Sequence, residues 1–160
     1  MSIRSTCKAI VLNDGKILLN KCHDIHNGEY YSLPGGGQET LEFLEEAIIR
    51  EVLEETGYTV LPDMFVGIGE EICTDEEIVQ QWPGYIHKMY HIYRCHLDEK
   101  IPWEEPSEVD DMQDESVWMP IEEVENITLL PKMVQDNFKK LVFGDHAIYL
   151  DSIFVAHHHG

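Results

Sequence analysis

A run of glycine, glutamate and arginine between residues 36 and 57 constrains the fold of this chain more than any other feature. The spacing is Gly-x5-Glu-x7-Arg-Glu-Val-x-Glu-Glu-x-Gly, and Pro34 and Gly35 precede it. Consecutive glycines allow backbone conformations that are closed to other residues and let the chain approach a ligand closely. The residues that follow have helical periodicity. The run therefore predicts a glycine turn that leads into a helix.

The helix predicted over residues 41–56 has an apolar face and an acidic face. Thr40 is the expected N-cap, and Gly57 is the expected glycine that ends the helix. The apolar residues recur at steps of three and four and form one stripe that would anchor the helix to a core: Leu41, Leu44, Ala47, Ile48 and Val52.

The acidic face carries Glu51, Glu54 and Glu55, which stand at positions i, i+3 and i+4. Such carboxylates repel one another unless cations lie among them, and their hard oxygens suit Mg²⁺ or Mn²⁺ bound together with a substrate phosphate. A bare Glu-x-x-Glu-Glu is more typical of an ordinary acidic helix. The complete spacing favours a metal site that acts on phosphates, with one glutamate as a candidate general base.

Charge and composition limit the partners of this site. The chain has 160 residues, 43% of them hydrophobic, and a formal net charge of −20. We expect a single domain over residues 1–160 with a packed core. An excess of carboxylates argues against binding a nucleic-acid polymer or an acidic membrane, because phosphates are bound by clusters of Lys and Arg. Divalent cations would still let the protein bind a phosphorylated small molecule.

The cysteines and the N-terminus predict a reduced, soluble, cytoplasmic protein. The apolar run near the N-terminus is too short for a signal peptide or a spanning helix. No Cys-x-x-Cys spacing suggests a zinc site or a redox pair among the four cysteines, which are Cys7, Cys22, Cys73 and Cys95.

The remaining pattern predicts a mixed sheet covered by helices. A turn at 13–15 joins the first two strands, residues 98–115 are expected to form an exposed loop, and residues 120–124 a helical turn. A second helix is predicted over residues 131–141, and residues 146–155 form either an extra strand or an extension. Strands are predicted at 6–12, 16–22, 30–33, 64–71, 87–96 and 116–119.

The glycine turn and helix, as a box over residues 36–58, resemble the signature of the Nudix hydrolase family. Residues 1–142 are similar to the family more loosely, and residues 146–160 are expected to be a C-terminal extension and tail. The resemblance implies an α/β/α sandwich. It also implies hydrolysis of a diphosphate bond in a nucleoside diphosphate linked to another moiety, as in a nucleoside triphosphate, a nucleotide sugar or a dinucleotide, with Mg²⁺ or Mn²⁺.

The same resemblance implies roles for individual residues. The metal ligands would be Glu51, Glu54, Glu55 and the Gly35 carbonyl, while Glu42 and Arg50 would form an ion pair that braces the loop. Gly36 and Gly57 would complete the support of the site, and Tyr58 replaces the usual aliphatic residue. Relatives are often dimers, so a homodimer is compatible with the resemblance.

Family members often recruit a further acid from a loop ahead of the strand that contains Trp118. We favour Asp111 or Glu115 among five candidates, which are Glu108, Asp110, Asp111, Asp114 and Glu115. For the substrate, Tyr31 and His23 are candidate contacts, as is His26 for phosphate. Several aromatic residues could stack on a base or pack in the core: Tyr30, Tyr31, Trp82, Tyr85 and Trp103.

Two other functions fit the same pattern. One is a catalytically silent nucleotide-sensing or protein-interaction module on the same fold. The other is an isoprenoid diphosphate isomerase, which would need a reactive cysteine such as Cys73 or Cys95. The histidines at 157–159 favour a terminal tail or a tag remnant over a metal site.

Overall fold

The computed structural model describes residues 2–157 and contains nine strands in one mixed sheet. Along the sheet the order is β8-β3-β2-β1-β6-β5-β9, while β4 pairs with β1 and β7 pairs with β2. The predicted α/β fold with a mixed sheet is confirmed. The strands are β1 (Arg4–Asn13), β2 (Lys16–Asp24), β3 (Gly28–Ser32), β4 (Gly35–Gly37), β5 (Val60–Cys73), β6 (His87–Leu97), β7 (Gln113–Pro120), β8 (Leu129–Leu130) and β9 (Ile148–Val155).

The sheet is curled because β1 and β2 pair only next to their hairpin turn, at Leu12 with Ile17 and Asn13 with Lys16. Beyond that point β1 pairs with β4 and β6, whereas β2 pairs with β3 and β7. Helices cover the sheet: α1 (Leu44–Thr56), α2 (Glu76–Gln81), α3 (Lys132–Asp136) and α4 (Phe138–Phe143). None of the helices within residues 2–157 has the length and apolar character that crossing a bilayer requires.

Two hydrophobic clusters follow from the alternation of side chains along β1. Cys7, Ala9 and Val11 pack with α1, whereas Ile10 belongs to the second cluster, which includes α3 and α4. The face of Ile10 continues along the strand through Lys8, Thr6 and Arg4, all of which line a cleft. One face of β1 is therefore core at one end and cleft floor at the other.

Helix α1 begins later than its sequence predicts, so Thr40 is not its N-cap. Phe43 takes the N-cap position, and its backbone N–H donates to the carboxylate of Glu46 at 2.9 Å. Leu41 is fully exposed with φ of 69° and is not part of the apolar stripe. The chain turns here because the Glu42 carboxylate accepts from the backbone N–H of Glu39 at 3.0 Å.

Other boundaries also differ from the prediction. The helix predicted over 131–141 is interrupted at Asn137, whose side chain donates to the carbonyl of Met133, so α3 and α4 are separate. The glycine turn contains a strand, β4, and α2 lies between the strands predicted at 64–71 and 87–96, where no helix is predicted from the sequence. Residues 148–155 form an extra strand of the sheet, parallel to β5. His158 and His159 lie outside the described residues.

Candidate active site

Helix α1 presents its carboxylates to the cleft because its opposite face is fixed in the core. Ala47, Ile48 and Val52 are fully buried against β1. Glu51, Glu54 and Glu55 line the cleft together with Gly35, Gly36 and Gly37 of β4. The structure thus brings together the three glutamates that the helical spacing placed on one face. We call these three side chains the carboxylate wall.

Arg50 neutralises part of the carboxylate wall and ties it to the preceding loop. Its guanidinium donates twice to Glu42, at 2.7 and 2.9 Å, and once each to Glu51 at 2.9 Å and Glu54 at 3.2 Å. A further N–H donates to the Gly37 carbonyl at 3.0 Å. The hydrogen bonds from Arg50 hold the pKa of Glu42 far below its ordinary range, at about 2. The ion pair between Glu42 and Arg50 is present.

Glu55 is held by groups that the sequence motif does not contain. Asn20 of β2 donates to it at 2.7 Å, and the Gly35 backbone N–H donates at 3.1 Å. The hydroxyl of Ser116 in β7 donates a hydrogen bond of 2.9 Å to the side-chain amide oxygen of Asn20 and so orients the amide. Burial raises the pKa of Glu55 to about 7, although the charge of Lys8 acts in the opposite direction. The site therefore holds more carboxylate charge than its own cations stabilise.

The glycines of β4 make room for charged side chains on both of its faces. A Cβ at Gly36 would lie 2.6 Å from a carboxylate oxygen of Glu51, and a Cβ at Gly37 would lie 2.6 Å from a guanidinium nitrogen of Arg4. Any other residue would displace one of these groups. The Gly35 carbonyl accepts a hydrogen bond of 3.2 Å from Lys8, and its second lone pair can accept another ligand.

Three cations line the same cleft, which has a volume of about 330 Å³. They are Arg4, Lys8 and Lys88, and we call them the cationic wall. Lys8 and Lys88 are buried, and burial lowers the pKa of Lys88 to about 8 while the charge of Glu71 opposes that shift. The cleft lining thus contains both carboxylates and cations.

The acidic loop between β6 and β7, residues 98–112, reaches the cleft because its backbone caps the C-terminal end of α1. The carbonyls of Glu54 and Gly57 accept from the backbone N–H groups of Glu108 and Glu104, each at 3.0 Å. The Thr56 carbonyl accepts from the Trp103 indole at 2.8 Å. These carbonyls have no partner within a helix and need one from elsewhere. The docking places Glu108 and Asp110 in the cleft lining.

A model of the NUDIX domain family matches residues 3–141 of the chain, which include the carboxylate wall and β1 through α4 up to Leu141. The chain belongs to the Nudix family. Nudix hydrolases cleave diphosphate bonds in nucleoside diphosphate derivatives and generally use divalent metal ions. The chain is thus a member of a family of pyrophosphohydrolases.

Individual relatives agree with this assignment. A Bacillus subtilis (strain 168) protein, provisionally named an 8-oxo-dGTP diphosphatase, is 43% identical over 60 residues, which are 37% of this chain and 38% of that protein. A Nudix hydrolase structure from Nitrosomonas europaea has a TM-score of 0.72 at 20% identity and covers 91% of this chain and 93% of its own. A MutT protein from Bacillus halodurans has a TM-score of 0.64 at 20% identity, with coverages of 96% and 91%.

The structure places the substrate-contact candidates outside the lining of the Nudix cleft. His23 pairs with Asp114 at 2.9 Å, and Tyr31 packs against the hydrophobic cluster that contains Ile10. Glu115 lies opposite Lys21 in the β2–β7 ladder, while Asp111 is exposed in the turn before β7. The loop acids that line the cleft are instead Glu108 and Asp110, because the capping of α1 fixes that part of the loop.

Other candidate groups lie away from the cleft lining too. The rings of His26 and His157 stack on each other 4.3 Å apart. Cys73 and Cys95 are buried outside the lining, and burial raises the pKa of Cys95. A buried thiol with a raised pKa is a poor acid or nucleophile, so the structure gives no support to the isomerase alternative. Among the aromatic candidates, only Tyr85 lines the cleft within residues 2–157.

Proposed function

We propose that this Nudix hydrolase requires Mg²⁺ or Mn²⁺ and that Glu51, Glu54, Glu55 and the Gly35 carbonyl hold the ion. The observation that carries the proposal is the convergence of three carboxylates on one cleft with a single guanidinium among them. Oxygen ligands of this kind suit hard divalent cations. The raised pKa values of Glu54 and Glu55 also support it, because a cation would replace the missing stabilisation of their charge.

When bound, the ion would neutralise charge on the substrate phosphates and polarise the reacting phosphoryl group. The residues of the chain supply position and orientation. Asn20 and the Gly35 N–H fix the rotamer of Glu55, and Arg50 fixes those of Glu51 and Glu54. The loop before β7 contributes two acids to the cleft, Glu108 and Asp110, and the backbone N–H of Glu108 donates to the Glu54 carbonyl near the C-terminal end of α1.

The proposed substrate is a free small molecule and not a nucleic-acid polymer: a nucleoside triphosphate, a nucleotide sugar or a dinucleotide. The name of the Bacillus subtilis relative supports including 8-oxo-dGTP, although the match spans only 38% of that protein's length. The cleft supports a diphosphate derivative in general, since its phosphate oxygens could bind ions held by the carboxylate wall and pair with Lys8, which lines the same cleft.

The test is turnover of a substrate panel by the purified protein, with each metal and with EDTA. The panel contains 8-oxo-dGTP, ordinary nucleoside triphosphates, ADP-ribose, a uridine diphosphate sugar and a dinucleoside polyphosphate, and chromatography identifies the products. We expect turnover that depends on Mg²⁺ or Mn²⁺ and a rise in melting temperature when the ion is added. Metal-independent turnover would overturn the requirement for an ion. The absence of both turnover and a thermal shift would overturn the proposal and favour a silent module.

A matched pair of helix variants locates the metal. Glu54→Gln removes one charge from the carboxylate wall, whereas Glu45→Gln removes one from the exposed first turn of the same helix. We expect Glu54→Gln to lower kcat by on the order of 100-fold or more and to abolish the metal-induced thermal shift. Glu45→Gln should retain both. Equal behaviour of the two variants would show that the carboxylate wall does not hold the ion.

A further inference from the structure

Arg4 differs from the other two arginines of the chain in its partners. Arg50 donates to three carboxylates, and Arg94 donates to the carbonyls of Leu141 and Gly144. Among residues 2–157, no carboxylate lies within ion-pair distance of the Arg4 guanidinium, although the chain has 31 acidic residues. The guanidinium lies instead over the ring of Tyr85, 4.5 Å from its centroid. A half-buried guanidinium in the cleft thus retains an unneutralised charge.

The sheet register places a second cation beside Arg4. Arg4 and Lys88 are direct neighbours on the parallel strands β1 and β6, whose backbones are ~4.8 Å apart. Like charges in this relation destabilise a sheet. On its other side Lys88 is the neighbour of Glu71 in β5, and the charge of Glu71 acts on Lys88. The charge of Glu71 therefore acts on Lys88, whereas no carboxylate among residues 2–157 lies within ion-pair distance of Arg4.

This pair lies close to the carboxylate wall but is separate from it. Gly36 and Gly37 are adjacent in β4, and one faces Glu51 while the other faces Arg4. Both charged residues line the same cleft and do not form an ion pair with each other. An anion at Arg4 can therefore belong to the same molecule as a phosphate at the carboxylate wall.

We propose that Arg4 and Lys88 form a second phosphate subsite that makes nucleoside triphosphates the preferred substrates over nucleotide sugars. This proposal rests on the proposed function of the carboxylate wall. The diphosphate that contains the hydrolysed bond lies at that wall. A third phosphate extends beyond it to Arg4, whose planar guanidinium can donate two parallel hydrogen bonds to phosphate oxygens. A nucleotide sugar carries no phosphate for this subsite.

Two substrates measured with one variant test the proposal. Arg4→Gln removes the charge and keeps most of the side-chain length, and Lys16→Gln, at an exposed position outside the cleft, is the matched control. We expect Arg4→Gln to raise KM for a nucleoside triphosphate roughly 10- to 100-fold with little change in kcat. Its KM for ADP-ribose should stay within about twofold of the wild-type value. Equal effects on the two substrates, or no effect, would overturn the subsite.

Binding without metal separates this proposal from the proposed function. In EDTA, calorimetry with inorganic tripolyphosphate should show binding to the wild-type protein and to Lys16→Gln, and roughly tenfold or more weaker binding to Arg4→Gln. Arg4→Lys retains the charge but loses the paired donors, so it should be intermediate; if Arg4→Gln does not fold, weaker binding by Arg4→Lys is the deciding result. Unchanged tripolyphosphate affinity contradicts the subsite even if the enzyme is active. If the enzyme shows no turnover but Arg4→Gln still binds tripolyphosphate more weakly than the wild type does, only the proposed function is contradicted.

Discussion

The carboxylate wall comes from one helix, whereas the cationic wall comes from two strands, β1 and β6, that are distant in sequence. In the carboxylate wall, charges repel within one turn of α1, and Arg50 and hydrogen bonds from neighbouring strands restrain them. In the cationic wall, Arg4 and Lys88 are neighbours only because of the sheet register. The two walls differ in how much of their charge the protein itself neutralises. That difference indicates which ligand each wall is prepared to accept.

Removing Arg50 should have the largest effect, because one side chain restrains most of the carboxylate wall. Arg50→Ala leaves Glu42, Glu51 and Glu54 without their shared cation, in positions that are mostly shielded from water. We expect the free energy of unfolding in EDTA to fall by about 3 kcal/mol, measured by urea denaturation. Adding Mg²⁺ should restore part of this loss, since the ion can take over the neutralisation of the carboxylates.

Arg94→Ala is the matched control for this experiment. Arg94 is also part-buried, but its donors bond to the neutral carbonyls of Leu141 and Gly144. Its removal should destabilise the protein by an amount that does not depend on Mg²⁺. If Mg²⁺ restores the same share of the lost free energy of unfolding in Arg50→Ala and in Arg94→Ala, the ion does not act at the carboxylate wall.

The carboxylate wall could be predicted from the sequence because helical spacing is local. Positions i, i+3 and i+4 share a face whatever the rest of the chain does, so Glu51, Glu54 and Glu55 were identified without knowledge of the fold. The start of α1 was not predicted correctly. Its first turn is replaced by a loop that Arg50 holds through Glu42, and this tertiary contact outweighs the capping preference of Thr40.

The cationic wall could not be predicted, because its residues become neighbours only in the folded sheet. Neither Arg4 nor Lys88 belongs to a motif. They are 84 positions apart in the sequence and become neighbours through the pairing of β1 with β6. Glu108 and Asp110 were among the five candidate loop acids but were not the favoured ones, for a related reason. Which of them reaches the cleft depends on the backbone hydrogen bond from Glu108 to the end of α1, and sequence composition gives no sign of such a bond.

Two neighbouring glycines allow each wall to be perturbed separately. Gly36→Ala introduces a methyl group where the Glu51 carboxylate lies, and Gly37→Ala introduces one where the Arg4 guanidinium lies. We expect Gly36→Ala to lower kcat/KM about 10- to 100-fold for every substrate. Gly37→Ala should lower kcat/KM for nucleoside triphosphates and leave ADP-ribose nearly unaffected. Each variant serves as the control for the other, and identical substrate profiles would show that the two walls do not act separately.

The pH dependence of the metal-free protein should distinguish two carboxylates that both belong to the Nudix box. The pKa of Glu42 is about 2 when folded, below its ordinary value of 4.5, so its stabilising contribution is present above pH 4.5 and is lost as the pH falls toward 2. The pKa of Glu55 is about 7 when folded, above its ordinary value of 4.5. Folding therefore takes up a proton between these values, and stability decreases as the pH rises from 4.5 to 7.

Urea denaturation in EDTA from pH 2 to pH 8 measures both slopes. Glu55→Gln should remove the decrease between pH 4.5 and 7, and Glu42→Gln should reduce the loss below pH 4.5. Because an ion at the carboxylate wall would displace the Glu55 proton, metal affinity should rise by up to about tenfold per pH unit below 7 and then level off. Calorimetry at pH 5.5, 6.5 and 7.5 measures this rise. A constant affinity would mean that Glu55 is not a ligand of the ion.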